Sequence, residues 1–299
     1  VLFSALLTLG SVQADAQAAA TEATTPAKLV DAPTGSNRAS METMQIPSHG
    51  SLMNALVYVA AGAGPHPAVI LLHGFPGNDR NLDLAQDMRR AGWDVLYFNY
   101  RGSWGTPGKF SFAHGVEDTA AALAYLRQPD VARKLRLDPA RIVLIGHSMG
   151  GFMAVKAAAN DPAVKAFATI SAADFGGNFL ASLDKEPKAA AIDQLSKALA
   201  NEGMAPLAGC TPKGLALDVA DHAKGWSFHA NVDALKNRTA LVITSDDGLA
   251  KQNQTFADEL TRAGDSKVTS AHFSTDHAYS DQRTELSSAV LHWLASLPK

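Results

Sequence analysis

Residues 141–159 read RIVLIGHSMGGFMAVKAAA. Four apolar residues, Ile142 to Ile145, run into Gly146-His147-Ser148-Met149-Gly150-Gly151, and a stretch of small residues follows. The apolar run suits a strand buried on both faces, and the alanine-rich stretch suits a helix. A serine at this junction, set between glycines, admits two readings. Small residues let a helix cross closely over a sheet. Alternatively, the turn lifts the hydroxyl above the strand end as a nucleophile, in the pattern G-x-S-x-G with its strand-turn-helix context. Gly146 and Gly150 then make room for a strained serine backbone with close neighbours. The N–H of Met149, at the helix start, would face the same space as a donor to an anion.

The rest of the chain supplies the sheet that such a turn requires. Two strand-like stretches, 42–47 and 52–60, flank Ser48-His49-Gly50 and suggest a hairpin. PAVILLHG (67–74) is a continuous apolar run. A helix is expected at about 80–91, with Leu84, Met88 and Ala91 on one face and Gly92 as its stop. WDVLYFNYRG (93–102) gives another strand, and 115–127 carries Val116, Ala120, Leu123 and Leu126 at helical spacing. Strands follow at 164–171, 241–245 and 268–274. A helix aligning Phe256, Leu260 and Ala263 lies between the last two, and a final helix, about 281–297, aligns Leu286, Val290, Trp293, Leu294 and Leu297. This alternation predicts an α/β fold: a doubly wound, mostly parallel sheet with helices on both faces, the hairpin adding an antiparallel edge. Between Ser171 and Thr239 the strand pattern stops. Ile192, Leu195 and Leu199, then Leu215 and Val219, mark amphipathic helices there, so a small helical cap is expected at about 175–230.

A serine hydroxyl needs a base, and the base needs an orienting acid. On a doubly wound sheet these follow the serine in the order acid, histidine, each in a loop after a strand. LVITS (241–245) runs into Asp246-Asp247-Gly248. Asp247 is preferred because a loop needs a residue or two to clear the strand end, and Asp246 is the alternative acid. VTSAHFS (268–274) runs into Thr275-Asp276-His277-Ala278-Tyr279, which puts His277 in the last loop. His272 lies within the strand and reads as structural; Asp276 reads as a turn residue. The second oxyanion donor is expected from His73-Gly74-Phe75-Pro76, as the N–H of Phe75, since Pro76 has none. His73 itself reads as a structural hydrogen-bonder.

The bulk numbers narrow the partners. A net charge of −3 over 299 residues, with no Lys/Arg block, gives no reason to expect nucleic acid or an anionic membrane surface. Residues 1–18 resemble a secretory signal peptide truncated at its N-terminus, with Val12-Gln13-Ala14 and Ala16-Gln17-Ala18 as small-x-small cleavage sites. The apolar part is too short to span a bilayer, so no stable membrane insertion is expected. Residues 19–40, rich in Ala, Thr, Pro and Ser, suggest a flexible leader to a domain at 41–299, and the protein is expected to be exported, periplasmic or secreted. Cys210 is the single cysteine, so no intramolecular disulfide can form, and no role in catalysis is expected for it. No metal or cofactor is implied, because neither His-x-x-x-His nor clustered Cys/His spacing occurs and no Gly-rich nucleotide loop follows the first strand.

Taken together, HGFPG (73–77), GHSMGG (146–151) and TDHAYSD (275–281) resemble the oxyanion loop, nucleophile elbow and histidine loop of the α/β-hydrolase superfamily. NYRGSWGTPGKF (99–110) and LDPARIVLIGHSMGG (137–151) are similar to its prolyl-oligopeptidase-like and esterase branch. The resemblance implies an eight-stranded hydrolase sheet, and it implies a structural role near the site entrance for Tyr100 and Arg101. Two features depart from the branch. Its peptidases carry a large β-propeller ahead of the hydrolase domain, whereas about forty residues precede the domain here. The acid loop SDDGLAKQN (245–253) also lacks the usual proline after the aspartate. The reading that results is a serine hydrolase acting on a small carboxylic ester or acyl substrate: Ser148 as nucleophile, His277 as base, Asp247 or Asp246 as acid, and the N–H groups of Phe75 and Met149 as oxyanion donors. An exopeptidase or an acyltransferase would use the same triad. Halide and epoxide enzymes of this fold typically place aspartate where Ser148 stands, which disfavours them. A non-catalytic binding protein on this fold is the rival from another class; degenerate members lose a triad residue, and here every role has a candidate. Oligomeric state is not legible in the sequence.

Overall fold

The computed structural model describes residues 37–264 and 267–298. The expected signal peptide at 1–18 and nearly all of the leader at 19–40 lie outside the described residues. The elements in chain order are β1 (Ser40–Ser48), β2 (Ser51–Val59), β3 (His66–Leu72), α1 (Leu82–Arg90), β4 (Asp94–Phe98), α2 (Phe112–Leu126), α3 (Pro129–Leu135), β5 (Leu137–His147), α4 (Met149–Asn160) and β6 (Ala166–Ile170). There follow α5 (Phe175–Leu183), α6 (Lys188–Asn201), α7 (Pro212–Trp226), a 3-10 turn at His229–Asn231, α8 (Val232–Leu235), β7 (Thr239–Ser245), α9 (Ala250–Ala263), β8 (Lys267–Phe273) and α10 (Arg283–Ser296).

The strands form one eight-stranded sheet in the order β1-β2-β4-β3-β5-β6-β7-β8. β1 and β2 are antiparallel, β2 meets β4 antiparallel, and every pair from β4 to β8 is parallel. The hairpin closes tightly: Ser48 pairs with Ser51, and the two residues between them, His49 (φ 44°) and Gly50 (φ 82°), are left-handed, the geometry a two-residue turn needs to match strand twist. The central strands β4 and β6 are buried at every residue, because helices cover both faces. Alternation within β3 feeds two cores. Val69 and Leu71 join Leu84, Met88, Trp293 and Leu294 of α1 and α10; Ile70 and Leu72 join Phe112, Phe152 and Leu260 on the opposite face.

The structure corrects the expected face of α2. Its buried side is Phe112, Gly115, Asp118, Thr119, Ala122, Leu123 and Leu126, while Val116 is half-buried and Ala120 exposed. Hydropathy misplaced the face because a charge and a glycine lie on the inner side. Gly115 lets the Met153 side chain come within the space a Cβ would fill. Asp118 is fully buried because its carboxylate accepts from Arg101 Nε (2.6 Å), the Arg101 backbone N–H (2.8 Å) and Ser48 Oγ (2.6 Å). Ala91 and Ala263, also expected on inner faces, are exposed. The short helix α3, with Pro129 in its first turn, was not legible from periodicity. Helices α5 to α8 fill the chain between β6 and β7, the helical insertion that the sequence pattern predicted.

Two stability outcomes follow. A Cβ at Gly150 would collide with the Leu72 carbonyl, backbone that cannot yield, so Gly150→Ala is expected to destabilise by about 3 kcal/mol or more in chemical unfolding. Asp118→Ala would leave the Arg101 guanidinium, itself 7% exposed, with only the half-exposed Glu117 as ion-pair partner, an expected loss of about 2–4 kcal/mol in the same measurement.

Candidate active site

Ser148 occupies the single residue between β5 and α4, with φ 56° and ψ −120°. A residue with a Cβ adopts this region only under constraint. The constraint is visible in the backbone. The Ser148 N–H donates to the Ile170 carbonyl of β6 (2.9 Å), and its own carbonyl accepts from Ala173 (3.1 Å) and Gly151 (3.0 Å). Glycine at 146 is obligatory, because a Cβ there would strike the carbonyl of Gly150. The loop after β3 comes close to the serine: a Cβ at Gly74 would stand 3.0 Å from Ser148 Cβ and 3.5 Å from its Oγ. Phe75 is the next residue of that loop, and Met149 follows the serine at the first position of α4, where a helix leaves its N–H groups free. The Phe75 ring packs on Phe110 and Phe112 at centroid distances of 5.9 and 5.6 Å.

The loops after β7 and β8 bring together His277 and Asp247. His277 Nδ1 donates to Asp247 Oδ2 at 2.7 Å; the Asp247 side chain is 4% exposed and that of His277 42%. With its proton on Nδ1, the imidazole presents a bare Nε2, the form a general base requires. Burial alone would raise the Asp247 pKa, but hydrogen bonds from His277, Ser171 and the Leu249 N–H outweigh it and hold the carboxyl below its usual range. Asp246 goes elsewhere. It is exposed and pairs with His272 Nε2 (3.2 Å), whose Nδ1 meets Thr244 Oγ1 (2.9 Å). Of the two candidate acids, Asp247 is the one beside His277. Asp276 closes the turn by accepting the N–H groups of Ala278 (3.1 Å) and Ser280 (2.9 Å).

Several neighbours of this pair carried no sequence signal. Ser171, Ser245 and Tyr279 are fully buried, and Ser171 Oγ lies 3.0 Å from Ser245 Oγ and 2.9 Å from Tyr279 Oη, directly behind Asp247. Hydroxyls following strands are too common to single out by eye. His73 is buried, its Nδ1 donates to the Gly74 carbonyl (2.8 Å), and burial pushes its pKa down to about 4. Tyr100, fully buried, packs on His73 at 4.6 Å, and Arg101 is taken up by Asp118; both stand as structural parts of the loop. That loop is also laced to the helical insertion: Trp104 N–H to Pro206 O (3.0 Å), Ala208 N–H to Gly102 O (2.8 Å) and Phe110 N–H to Ala208 O (2.9 Å). Cys210 is half-buried and carries a free thiol. Among the described residues no group of three His, Cys, Asp or Glu side chains could hold a metal, and no helix is long and apolar enough to cross a membrane.

The sheet order, the strained serine after β5 and the loops after β7 and β8 define a hydrolase scaffold. The chain belongs to the alpha/beta hydrolase fold family, which matches residues 67–283. An uncharacterized protein of Mycobacterium tuberculosis is 35% identical over 116 residues, 38% of this chain and 39% of that protein. The quorum-quenching protein AidA of Acinetobacter baumannii is 30% identical over 150 residues, 48% of this chain and 47% of AidA. The chain thus matches less than half the length of each of these curated relatives. Among solved structures, the thermostable carboxylesterase EstE1 from a metagenomic library superposes with a TM-score of 0.61 at 21% identity, over 88% of this chain and 92% of EstE1. The Pyrococcus horikoshii acylaminoacyl peptidase does so with a TM-score of 0.63 at 17% identity, over 87% of this chain and 42% of the peptidase. These two likenesses establish the shared fold.

The contrast between the aspartates is measurable. Asp247→Asn is expected to lower kcat for an activated ester by about 10²–10⁴-fold, because an amide cannot stabilise the imidazolium that forms. Asp246→Asn is expected to stay within about threefold, as an exposed pair outside the site.

Proposed function

We propose that the chain is a serine hydrolase that cleaves carboxylic esters through an acyl-enzyme. The observation that carries this reading is the buried Asp247 carboxylate hydrogen-bonded to His277 Nδ1, on the same sheet end as a serine held at φ 56°. Ser148 Oγ attacks the ester carbonyl as His277 Nε2 takes its proton. Asp247 holds the imidazole in the Nδ1–H tautomer and stabilises its cation. The N–H groups of Phe75 and Met149 receive the oxyanion. His277 then returns the proton to the leaving alcohol, and water, activated by the same base, releases the acid. The likeness to the carboxylesterase EstE1 makes an ester the first substrate to test. The acylaminoacyl peptidase likeness makes an N-acyl peptide the second substrate to test. We also propose export to the periplasm or medium, on the apolar and small-residue pattern of residues 1–18.

Labelling with a fluorophosphonate probe, wild type beside Ser148→Ala, tests the nucleophile. Labelling and hydrolysis of short p-nitrophenyl esters are expected in the wild type, and both are expected to fall by at least about 10³-fold in the variant. Folded wild-type protein that takes no label would remove the serine-hydrolase reading and favour a binding protein on this fold.

A further inference from the structure

His147, the residue before the serine, is absorbed by neither the fold nor the proposed mechanism. It ends β5, is 4% exposed, and donates from Nε2 to the backbone carbonyl of His277 at 2.8 Å. A carbonyl only accepts, so the proton must sit on Nε2. That leaves Nδ1 a bare acceptor, buried and without a partner among the described residues. The two imidazole rings lie 4.6 Å apart, inclined at 43°. Packing alone would favour an apolar side chain at such a place, since a buried acceptor with no donor is unfavourable. The chain instead keeps a ring whose one satisfied atom bonds the main chain of the residue proposed as base.

We propose that His147 is a positioning residue that registers the base to the nucleophile. This rests on the reading of Ser148, His277 and Asp247 as the triad. Asp247 fixes the imidazole of His277 from its side chain; His147 fixes the backbone that carries it. Because His147 and Ser148 are consecutive, one peptide links the nucleophile to the anchor of its base, and a shift of the elbow carries that anchor with it. The arrangement also keeps a second charge away from the base. Burial, reinforced by His277 nearby, pushes His147 down to about 4, with Asp79 opposing and Arg283 adding to that effect. The imidazolium of His277 therefore forms against a neutral ring.

The test separates the donor from the ring. His147→Phe keeps a ring and removes the donor; His147→Gln keeps a donor and removes the ring. His147→Phe is expected to lower kcat on a p-nitrophenyl ester by about 10²-fold with KM within about threefold, as displacement of a catalytic group does, while His147→Gln recovers kcat to within about fivefold of wild type. The rate of fluorophosphonate labelling should fall in step with kcat in the phenylalanine variant. Should that variant fail to fold, His147→Leu makes the same donor-less comparison. Wild-type kcat in the donor-less variant, equal losses in it and in the glutamine variant, or a change confined to KM would overturn the proposal. Ester hydrolysis that survives Ser148→Ala would instead overturn the triad reading beneath it.

Discussion

The φ of 56° at Ser148 can be sustained only because three strand ends are stitched together behind it. A non-glycine residue in such a region stores about 1–3 kcal/mol of strain, which the surroundings must hold. Here the N–H of Ser148 reaches back to Ile170 at the end of β6, and the N–H of Ser171, itself at φ 44°, reaches Ile243 of β7 at 2.8 Å. The left-handed residues therefore follow β5 and β6 in turn, each pinned to the next strand. Those ends carry Ser148, Ser171 and Asp247. Glycines at 74, 146 and 150 are the other half of the constraint, because any side chain there would push the β3 loop or α4 away from the serine.

Charge is distributed around this frame so that one imidazole is left to move a proton. His73 and His147 are both buried, and burial holds each neutral well below pH 7. His277 differs in having a half-open ring and a carboxylate on Nδ1. The carboxylate is ionised despite its burial because three donors converge on it, and the hydroxyls of Ser171, Ser245 and Tyr279 hold one another in place behind it. Asp246, one residue away, shares the sequence environment of Asp247 but points to His272 on the far side of the strand end. Both aspartates lie in the turn that follows β7, and its backbone sends one to His272 and the other to His277.

Much of this was legible in the sequence, and the exceptions share a cause. The apolar runs inside β3, β5 and β7 and their alternation with helices made the mostly parallel sheet legible, and the strand-turn-helix context of the elbow singled out the serine, whereas the order of the strands was not readable. The inner face of α2 was misread because Asp118 and Gly115 are buried there, one by pairing with Arg101 and the other by close approach of Met153. Hydropathy assigns a carboxylate to solvent; its partners Arg101 and Ser48, both distant in sequence, reverse that. The choice between Asp246 and Asp247 turned on side-chain direction at a strand end, which composition does not encode. Ser171, Ser245, Tyr279 and His147 escaped notice because each acts through hydrogen bonds to residues distant in sequence.

The loop of residues 100–110 joins the sheet to the helical insertion. Its inner edge is fixed: Arg101 is held by Asp118 of α2, which also binds Ser48 at the hairpin, and Tyr100 packs on His73. Its outer edge bonds residues 206–208 of the helical insertion through main-chain groups, so that attachment does not depend on which side chains the insertion carries. The insertion is thus tied to the scaffold next to Phe75 and Phe110. Among the described residues, none of α5 to α8 gives a hydrogen bond to Ser148 Oγ, the His277 ring or the Asp247 carboxylate. The insertion also packs on the helix that leaves the elbow, with the Phe152 ring of α4 5.3 Å from Phe175 of α5 and 5.1 Å from Trp226 of α7, so these helices share the core that backs the serine turn.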